Sequence, residues 1–256
     1  MKRHYSHNYL ISPMHRITVA VIGAGGTGSQ LLPELARIDY ALYKLGHPGL
    51  FVTVYDDDIV TEANIGRQLF STSDIGLSKA MVLVDRINSF YGLDWVSSTE
   101  RYPYNTDFVT HNITLTCVDN VASRIKIGDR LREVAKLQNG DFEKPLYWID
   151  FGNQTDRGQV ILGTLRPIKQ PESQKVDVVD TLLSVDQMFD LNSVDEKDSG
   201  PSCSLAEALS KQDLFINSML AQVGGNLLWK LITEGGVDYC GAFINLKTMN
   251  VNPIKL

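Results

Sequence analysis

Apolar and polar positions along the chain fall into two rhythms, one of period two or continuous, the other of period 3.6. The first clear element is Ile17 to Ile22 (I-T-V-A-V-I), an unbroken run rich in β-branched residues. Such a run predicts a strand buried on both faces of a parallel sheet. A glycine turn follows. Ser29 to Leu45 then repeats apolar residues at helical spacing through Leu31, Leu35, Ile38 and Leu45, and Pro33 falls in the first turn, where a missing amide hydrogen costs little. Leu50 to Tyr55 predicts the next strand, which runs into Asp56, Asp57 and Asp58. Strand, helix and strand within about forty residues make a βαβ unit, right-handed by default.

Further along, a helical pattern runs from Ser73 through Met81, Leu83, Val84 and Ile87, and Asp94 to Ser98 reads as a short strand. His111 to Val118 predicts a buried strand ending in Asp119-Asn120, Val121 to Leu137 a helix, and Leu146 to Phe151 and Gly158 to Leu165 two more strands. This alternation calls for a doubly wound α/β sheet. Composition changes after Leu165. Residues 167–201 are polar and acidic and read as a long surface loop or insertion. Val176, Val178, Val179, Leu182, Leu183 and Met188 suggest that part of it packs, as a short helix. Leu205 to Ile232 is a long helical stretch with Gly224-Gly225 as a kink or close-packing point, and Ala242 to Val251 a closing strand pair. The expected division is a nucleotide-binding core over 1–166, the acidic segment over 167–201, and a C-terminal helix and strands over 202–256 of the same globular unit.

Composition narrows the function classes. The chain has 256 residues, 43% hydrophobic and 21% charged, ordinary for a globular protein with a real core. A net charge of −6 argues against broad nucleic-acid binding, which rests on basic residues neutralising phosphates. The three cysteines, Cys117, Cys203 and Cys240, form no C-x-x-C pair, so neither a disulfide framework nor a four-cysteine zinc site is expected. No apolar run is long enough to span a bilayer, and no apolar stretch follows the basic N-terminus as a signal peptide would require. The expectation is a soluble, cytoplasmic protein.

Gly23-Ala24-Gly25-Gly26-Thr27-Gly28 lies between a predicted strand and helix. In that context glycines permit a tight turn and let backbone amides approach a phosphate, while the helix N-terminus adds partial positive charge. The competing explanation is a tight turn needed for packing alone. Asp56, at the carboxyl end of the second strand, suits ribose hydroxyls. Three adjacent carboxylates repel one another and need a partner cation, a ligand or solvent; Asp57 reads as a solvated turn residue. Loop and acid together fit a nicotinamide enzyme and an ATP enzyme equally.

The stretch D-D-D-I-V-T-E-A-N-I-G-R-Q-L-F from Asp56, followed by D-I-G-L-S-K-A, resembles the ThiF/MoeB family, adenylating enzymes related to ubiquitin-activating enzymes. The glycine loop matches at Gly23, Gly25, Gly26 and Gly28, the D-x-D turn at Asp56 and Asp58, and N-x-x-R-Q at Asn64, Arg67 and Gln68. G-x-x-K matches at Gly76 and Lys79, and the strand-end D-N at Asp119 and Asn120. Gly152 to Val160, and Pro201-Ser202-Cys203 followed by Gly225 to Leu228, continue the likeness more weakly, and the chain most resembles the ThiF-type proteins of PRTRC systems. The resemblance implies a Rossmann-like, doubly wound sheet of the ThiF/MoeB type with an added C-terminal helix and strand segment. It implies ATP and Mg²⁺, a homodimer, and a small ubiquitin-like or sulfur-carrier partner whose C-terminal carboxylate is adenylated. Arg67 and Lys79 would offset the charge of carboxylate and phosphate as they meet, Asn64 would bond phosphate without adding charge, and Asp119 would hold Mg²⁺. Gln68 is divided between ligand contact and structural hydrogen bonding, and Asn120 between the site and a helix cap.

Many members of that family pass the activated carboxyl group to a cysteine, and Cys203, before a helix and after an acidic segment, is the candidate. Cys117 and Cys240 read as structural. The paired C-x-x-C zinc ligands of many relatives are missing, so no zinc is expected; Arg3 and Arg16 are both candidates for an arginine that reaches a partner subunit's ATP. Three other readings stay open: an NAD-dependent oxidoreductase, for which Asn64, Arg67 and Lys79 would have no task, a non-catalytic binding module of the same fold, and ATP-dependent modification of tRNA.

Overall fold

The computed structural model describes residues 2–102, 110–137, 144–172, 176–193 and 212–256. The chain opens with β1 (Lys2–Tyr5) and the single-turn α1 (Asn8–Ile11), then enters the sheet with β2 (Ile17–Ile22), α2 (Gly26–Lys44) and β3 (Leu50–Tyr55). Next come α3 (Lys79–Tyr91), β4 (Val96–Ser98), β5 (Ile113–Thr116), α4 (Val121–Leu137), β6 (Tyr147–Asn153) and β7 (Arg157–Thr164). The acidic segment supplies β8 (Asp177–Val178) and α5 (Val185–Met188); the chain ends with α6 (Ile216–Thr233), β9 (Gly236–Val237), β10 (Tyr239–Asn245) and β11 (Asn250–Lys255).

Eight strands form one sheet in the order β11-β10-β7-β6-β5-β2-β3-β4, and β8-β1-β9 form a small second one. From β4 to β6 every neighbouring pair is parallel; from β6 to β11 every pair is antiparallel. Because successive side chains of a strand point to opposite faces, β2 feeds both. Val19 and Val21 join the larger core, with Leu31 and Leu35 of α2, Leu83 of α3 and Leu228 of α6. Ala20 and Ile22 join the smaller core, with Ile127 and Leu131 of α4 and Val185 of α5. Helices therefore cover both faces of a doubly wound sheet, as the alternation of elements predicts.

Several predicted boundaries move, each for a local reason. The Gly25 carbonyl already accepts the Ser29 amide at 3.0 Å, so α2 begins at Gly26 and Pro33 lies in its interior, not its first turn. The helix expected from Ser73 starts at Lys79: Thr72–Asp74 is a 3-10 turn, Gly76 takes a φ of +86°, and the Ser78 hydroxyl caps the helix. The strand expected over 111–118 shortens to Ile113–Thr116. Of the helix expected over 205–232, the part from 205 to 211 lies outside the described residues, while Ile216–Thr233 is helical. In the acidic segment Leu182 and Val185 are buried, so that part packs.

Gly224 marks close packing within the continuous helix Ile216–Thr233. A Cβ on Gly224 would collide with the Phe151 ring, whereas one on Gly225 would meet Glu34 Cβ at an ordinary 3.5 Å. The two neighbours are thus expected to respond with opposite signs. Gly224→Ala should destabilise by about 1–3 kcal/mol through overpacking, and Gly225→Ala should be neutral or gain up to about 1 kcal/mol from helix propensity. Urea unfolding of the two variants checks both.

Candidate functional site

At the carboxyl ends of the parallel strands, β3 is reached from β2 through α2 on one face, and β6 from β5 through α4 on the other. The sheet therefore reverses its winding between β2 and β5, the place where open α/β sheets leave a crevice. A cavity of about 720 Å³ opens there, bounded by the glycine loop, the ends of β3, β5 and β6, and residues 57–79.

The loop is pressed onto the sheet. Gly23, at φ +96°, would place a Cβ 2.8 Å from the Cys117 carbonyl oxygen, and a Cβ on Gly28 would collide with the Gly23 carbonyl. Gly25, Gly26 and Thr27 line the cavity with the first turn of α2, whose amides lack helical acceptors. Gly28 lies behind the loop and acts by allowing its closure. Asp56 Oδ2 accepts the Ala24 amide at 2.5 Å and Oδ1 accepts the Asp58 amide at 2.9 Å. Burial nevertheless pushes the Asp56 carboxyl above the usual carboxylate range, against the pull of these two bonds and of Lys79. The three adjacent aspartates are separated by giving each its own partner: backbone amides for Asp56, Arg101 at 2.7 Å for Asp57, and Lys79 at 2.7 Å for Asp58.

Lys79 is the first residue of α3, with its side chain 9% exposed, while that of Asp58 is 67% exposed. A cation at a helix N-terminus opposes the helix dipole, and Asp58 offsets that. Asn64 Oδ1 accepts from both the amide (2.8 Å) and the hydroxyl (3.1 Å) of Thr61, which assigns its oxygen to the turn and leaves Nδ2 to the cavity that Asn64 lines. Gln68 is buried, with Oε1 lacking a hydrogen-bond partner among the described residues. Arg67 follows Gly66, which turns the chain at φ +83°. Its Nη1 donates to Gln212 Oε1 at 2.8 Å, and its Nε is buried without a partner among the described residues. Burial holds the Arg67 pKa below its ordinary value, with Asp119 pulling the other way.

Asp119 is exposed on the cavity wall and accepts from Asn120 Nδ2 at 3.2 Å. Asn120 caps α4 by accepting the Ser123 amide at 2.8 Å and also lines the cavity, so both of its expected tasks are compatible. Among the described residues no group of three or more His, Cys, Asp and Glu is placed to hold a metal. The Asp119 carboxylate is compatible with Mg²⁺, which is commonly held through one or two carboxylates, with waters and phosphate oxygens as its other ligands. Cys117 is not simply core: it lines the cavity, and desolvation, reinforced by Asp150 and opposed by Arg124, pushes its thiol up and away from nucleophilic use. Cys240 is buried behind β11. Cys203 lies outside the described residues. Arg3 pairs with Asp238 and Arg16 with Asp94, both away from this cavity.

The site also contains residues that the motifs do not name. Asn217, 1% exposed at the start of α6, accepts from Thr27 Oγ1 (2.9 Å) and Asn153 Nδ2 (2.6 Å) and donates to Gln212 (2.9 Å). A signal existed: Asn217 shares the apolar stripe of Leu220, Ala221 and Leu228, where a polar side chain must be hydrogen-bonded. Beneath the floor, Arg124 donates to Asp150 (3.1 Å) and to the carbonyls of Val118 (2.6 Å) and Phe151 (3.0 Å).

The ThiF family profile matches residues 11–252, nearly the whole chain and every element that frames this cavity. The chain belongs to the ThiF family. It is 30% identical over 116 residues to the adenylyltransferase and sulfurtransferase UBA4 of Yarrowia lipolytica, covering 43% of this chain and 27% of UBA4. Among solved structures it resembles PaaA (TM-score 0.59, 15% identity) over 93% of this chain and 64% of PaaA. It also resembles E. coli MccB crystallised with ATP (TM-score 0.56, 13% identity), over 93% of this chain and 63% of that one. The chain thus spans about a quarter of UBA4 and under two thirds of PaaA and MccB. Among the described residues no helix is long and apolar enough to cross a membrane.

One titratable group beside the cavity gives a pH signature. His111 packs edge-on to Tyr55, and burial lowers its pKa to about 4. The folded state then holds His111 neutral while the unfolded chain takes up a proton near pH 6.5, so stability is present above that value and lost as pH falls towards 4. Between pH 7 and pH 5 the chain should lose about 2 kcal/mol more than His111→Leu. Urea unfolding at the two pH values measures the difference.

Proposed function

We propose that this cleft binds Mg-ATP and adenylates a substrate carboxylate, the C-terminal carboxyl of a small ubiquitin-like or sulfur-carrier protein, with release of pyrophosphate. The observation that carries the reading is the arrangement of Arg67 and Lys79 across from the open first turn of α2 in one cavity. Two anions must be brought together in this reaction, and fixed cations with unpaired amides offset their repulsion without rearranging during the step. ThiF family membership supports it, as does the likeness to UBA4, an adenylyltransferase and sulfurtransferase, and to MccB, crystallised with ATP and with MccA.

In this reading the loop amides and Arg67 hold phosphate oxygens, and Asn64 adds an uncharged donor. Asp56 keeps the loop in place and faces the ribose. Asp119 is the carboxylate that would hold Mg²⁺, which when bound would neutralise the phosphate charge. The substrate carboxylate oxygen attacks the α-phosphorus, forming a P–O bond as the bond to the pyrophosphate oxygen breaks. Low proton affinity of a carboxylate at neutral pH means that no general base is required. A homodimer acting in the cytoplasm is the assembly the family resemblance implies.

ATP–pyrophosphate exchange tests this directly. Exchange should appear only with a small ubiquitin-like protein bearing a free C-terminal glycine, and Arg67→Ala and Asp119→Ala should each lower it by about 10²–10³-fold. Mg-ATP binding without exchange for any such partner would sink the enzyme reading in favour of a binding module. A thiol-sensitive adduct lost in Cys203→Ala would identify the step that follows.

A further inference from the structure

Arg67 is held differently from Lys79 and Arg101 of the same cleft. Lys79 and Arg101 each pair with a carboxylate, whereas among the described residues the side-chain hydrogen-bond partner of Arg67 is a neutral amide oxygen, Gln212 Oε1, with Asp119 acting on it through charge alone. The same oxygen accepts from Asn217 Nδ2, and Asn217 Oδ1 in turn accepts from Thr27 of the glycine loop and from Asn153 at the end of β6. The side chain of Asn217 also packs on Gly26, where an added Cβ would lie 2.7 Å from its Nδ2. One buried amide therefore joins the loop, the sheet end and, through a second amide, the guanidinium.

We propose that Asn217 and Gln212 are positioning residues that fix the Arg67 fork relative to the glycine loop without pairing it to a carboxylate, so that it stays available to the nucleotide's phosphates. The proposal rests on the ATP reading above. The chemistry requires amides at both positions. Asn217 must accept on one atom and donate on the other, which an aspartate cannot do at neutral pH. Gln212 must accept from a cation without cancelling it. A glutamate there would keep the geometry at 2.8 Å yet turn the contact into an ion pair, leaving less field for a phosphate. The outer position of Gln212, half-buried, also means that it can be changed without opening the core.

The test is calorimetric titration of the full chain and its Gln212→Leu, Gln212→Glu and Asn217→Asp variants with Mg-ATP and, separately, with adenosine. Adenosine carries no phosphate, so it reports the shape of the cleft and not the aim of Arg67. The dissociation constant for Mg-ATP should rise roughly ten- to a hundredfold in all three, and that for adenosine should stay within about twofold. Equal losses for both ligands in Gln212→Leu would mean a merely structural role and overturn the proposal; unchanged Mg-ATP binding in Gln212→Glu would overturn it too. If Asn217→Asp proves poorly folded by its melting curve, the two Gln212 variants decide. Absence of Mg-ATP binding by the unaltered chain would remove the ATP reading itself, an outcome distinct from either.

Discussion

The contact of Gly28 with the Gly23 carbonyl, and of Gly23 with the Cys117 carbonyl, sets the geometry of the whole cleft. No side chain fits at either Cα, so backbone rests on backbone, and the first turn of α2 comes down over the gap between β2 and β5. The Asp56 carboxylate grips the loop from the β3 side through the Ala24 amide, and Asn217 holds it from the α6 side through Thr27. With the loop clamped from two directions, its free amides are fixed before any ligand arrives, which is the condition for electrostatic preorganisation. A looser turn would have to spend ligand binding free energy on ordering itself.

Charge is distributed unevenly around this clamp, with two of its cations paired to carboxylates and Arg67 bonded to an amide. Asp57 with Arg101 and Asp58 with Lys79 are near-neutral pairs that order the segment after β3. Such partly exposed pairs add little stability each, but they keep three consecutive carboxylates from repelling one another across the mouth of the cleft. Arg67 stands apart, desolvated, with an amide for a partner and its Nε unsatisfied among the described residues. A half-buried cation with an unsatisfied Nε destabilises a folded protein, and persists where the surrounding structure over-determines it. Here the Gly66 turn, the Gln68 amide bonded back to Asn64, and Gln212 do so.

Which parts were legible in advance follows from how local their causes are. The strand Ile17–Ile22, the glycine loop and helix Val121–Leu137 depend on short-range periodicity and turn chemistry, and they stand where the pattern puts them. Of the motif residues, Asp56, Asp58, Asn64, Arg67, Gln68, Lys79, Asp119 and Asn120 line one cavity, because their spacing is tied to strand ends. Pro33 was misplaced because the helix start is set by the Gly25 carbonyl, a detail of loop geometry that apolar spacing does not carry. The register of β10 and β11 beside β7 was hidden because antiparallel partners at the far edge are chosen by tertiary packing. Asn217 was missed although a polar residue on an apolar stripe is itself a signal, and Gln212, ahead of the helix, carried none; what the stripe could not say is that two of Asn217's partners, Asn153 and Thr27, lie 64 and 190 positions away.

The cleft is braced from below as well as from above. Arg124 and Asp150 form an ion pair in the core on the α4 face, and Thr116 completes it by donating to the same Asp150 oxygen at 2.5 Å. Asp150 Oδ2 is left without a partner among the described residues, so this is a poor device for stability, since two desolvated charges seldom recover their hydration. Its value is positional. The guanidinium reaches the Val118 and Phe151 carbonyls, which are the last backbone groups before Asp119 and just before Asn153. A neutral, apolar replacement could fill the same volume but would leave two strand-end carbonyls in the floor without donors, and the side chains that follow them free to drift. Fixing those two carbonyls aligns Asp119 and Asn153 with a loop that Asp56 and Asn217 have already fixed, so both walls of the cleft are referred to the same pair of strands.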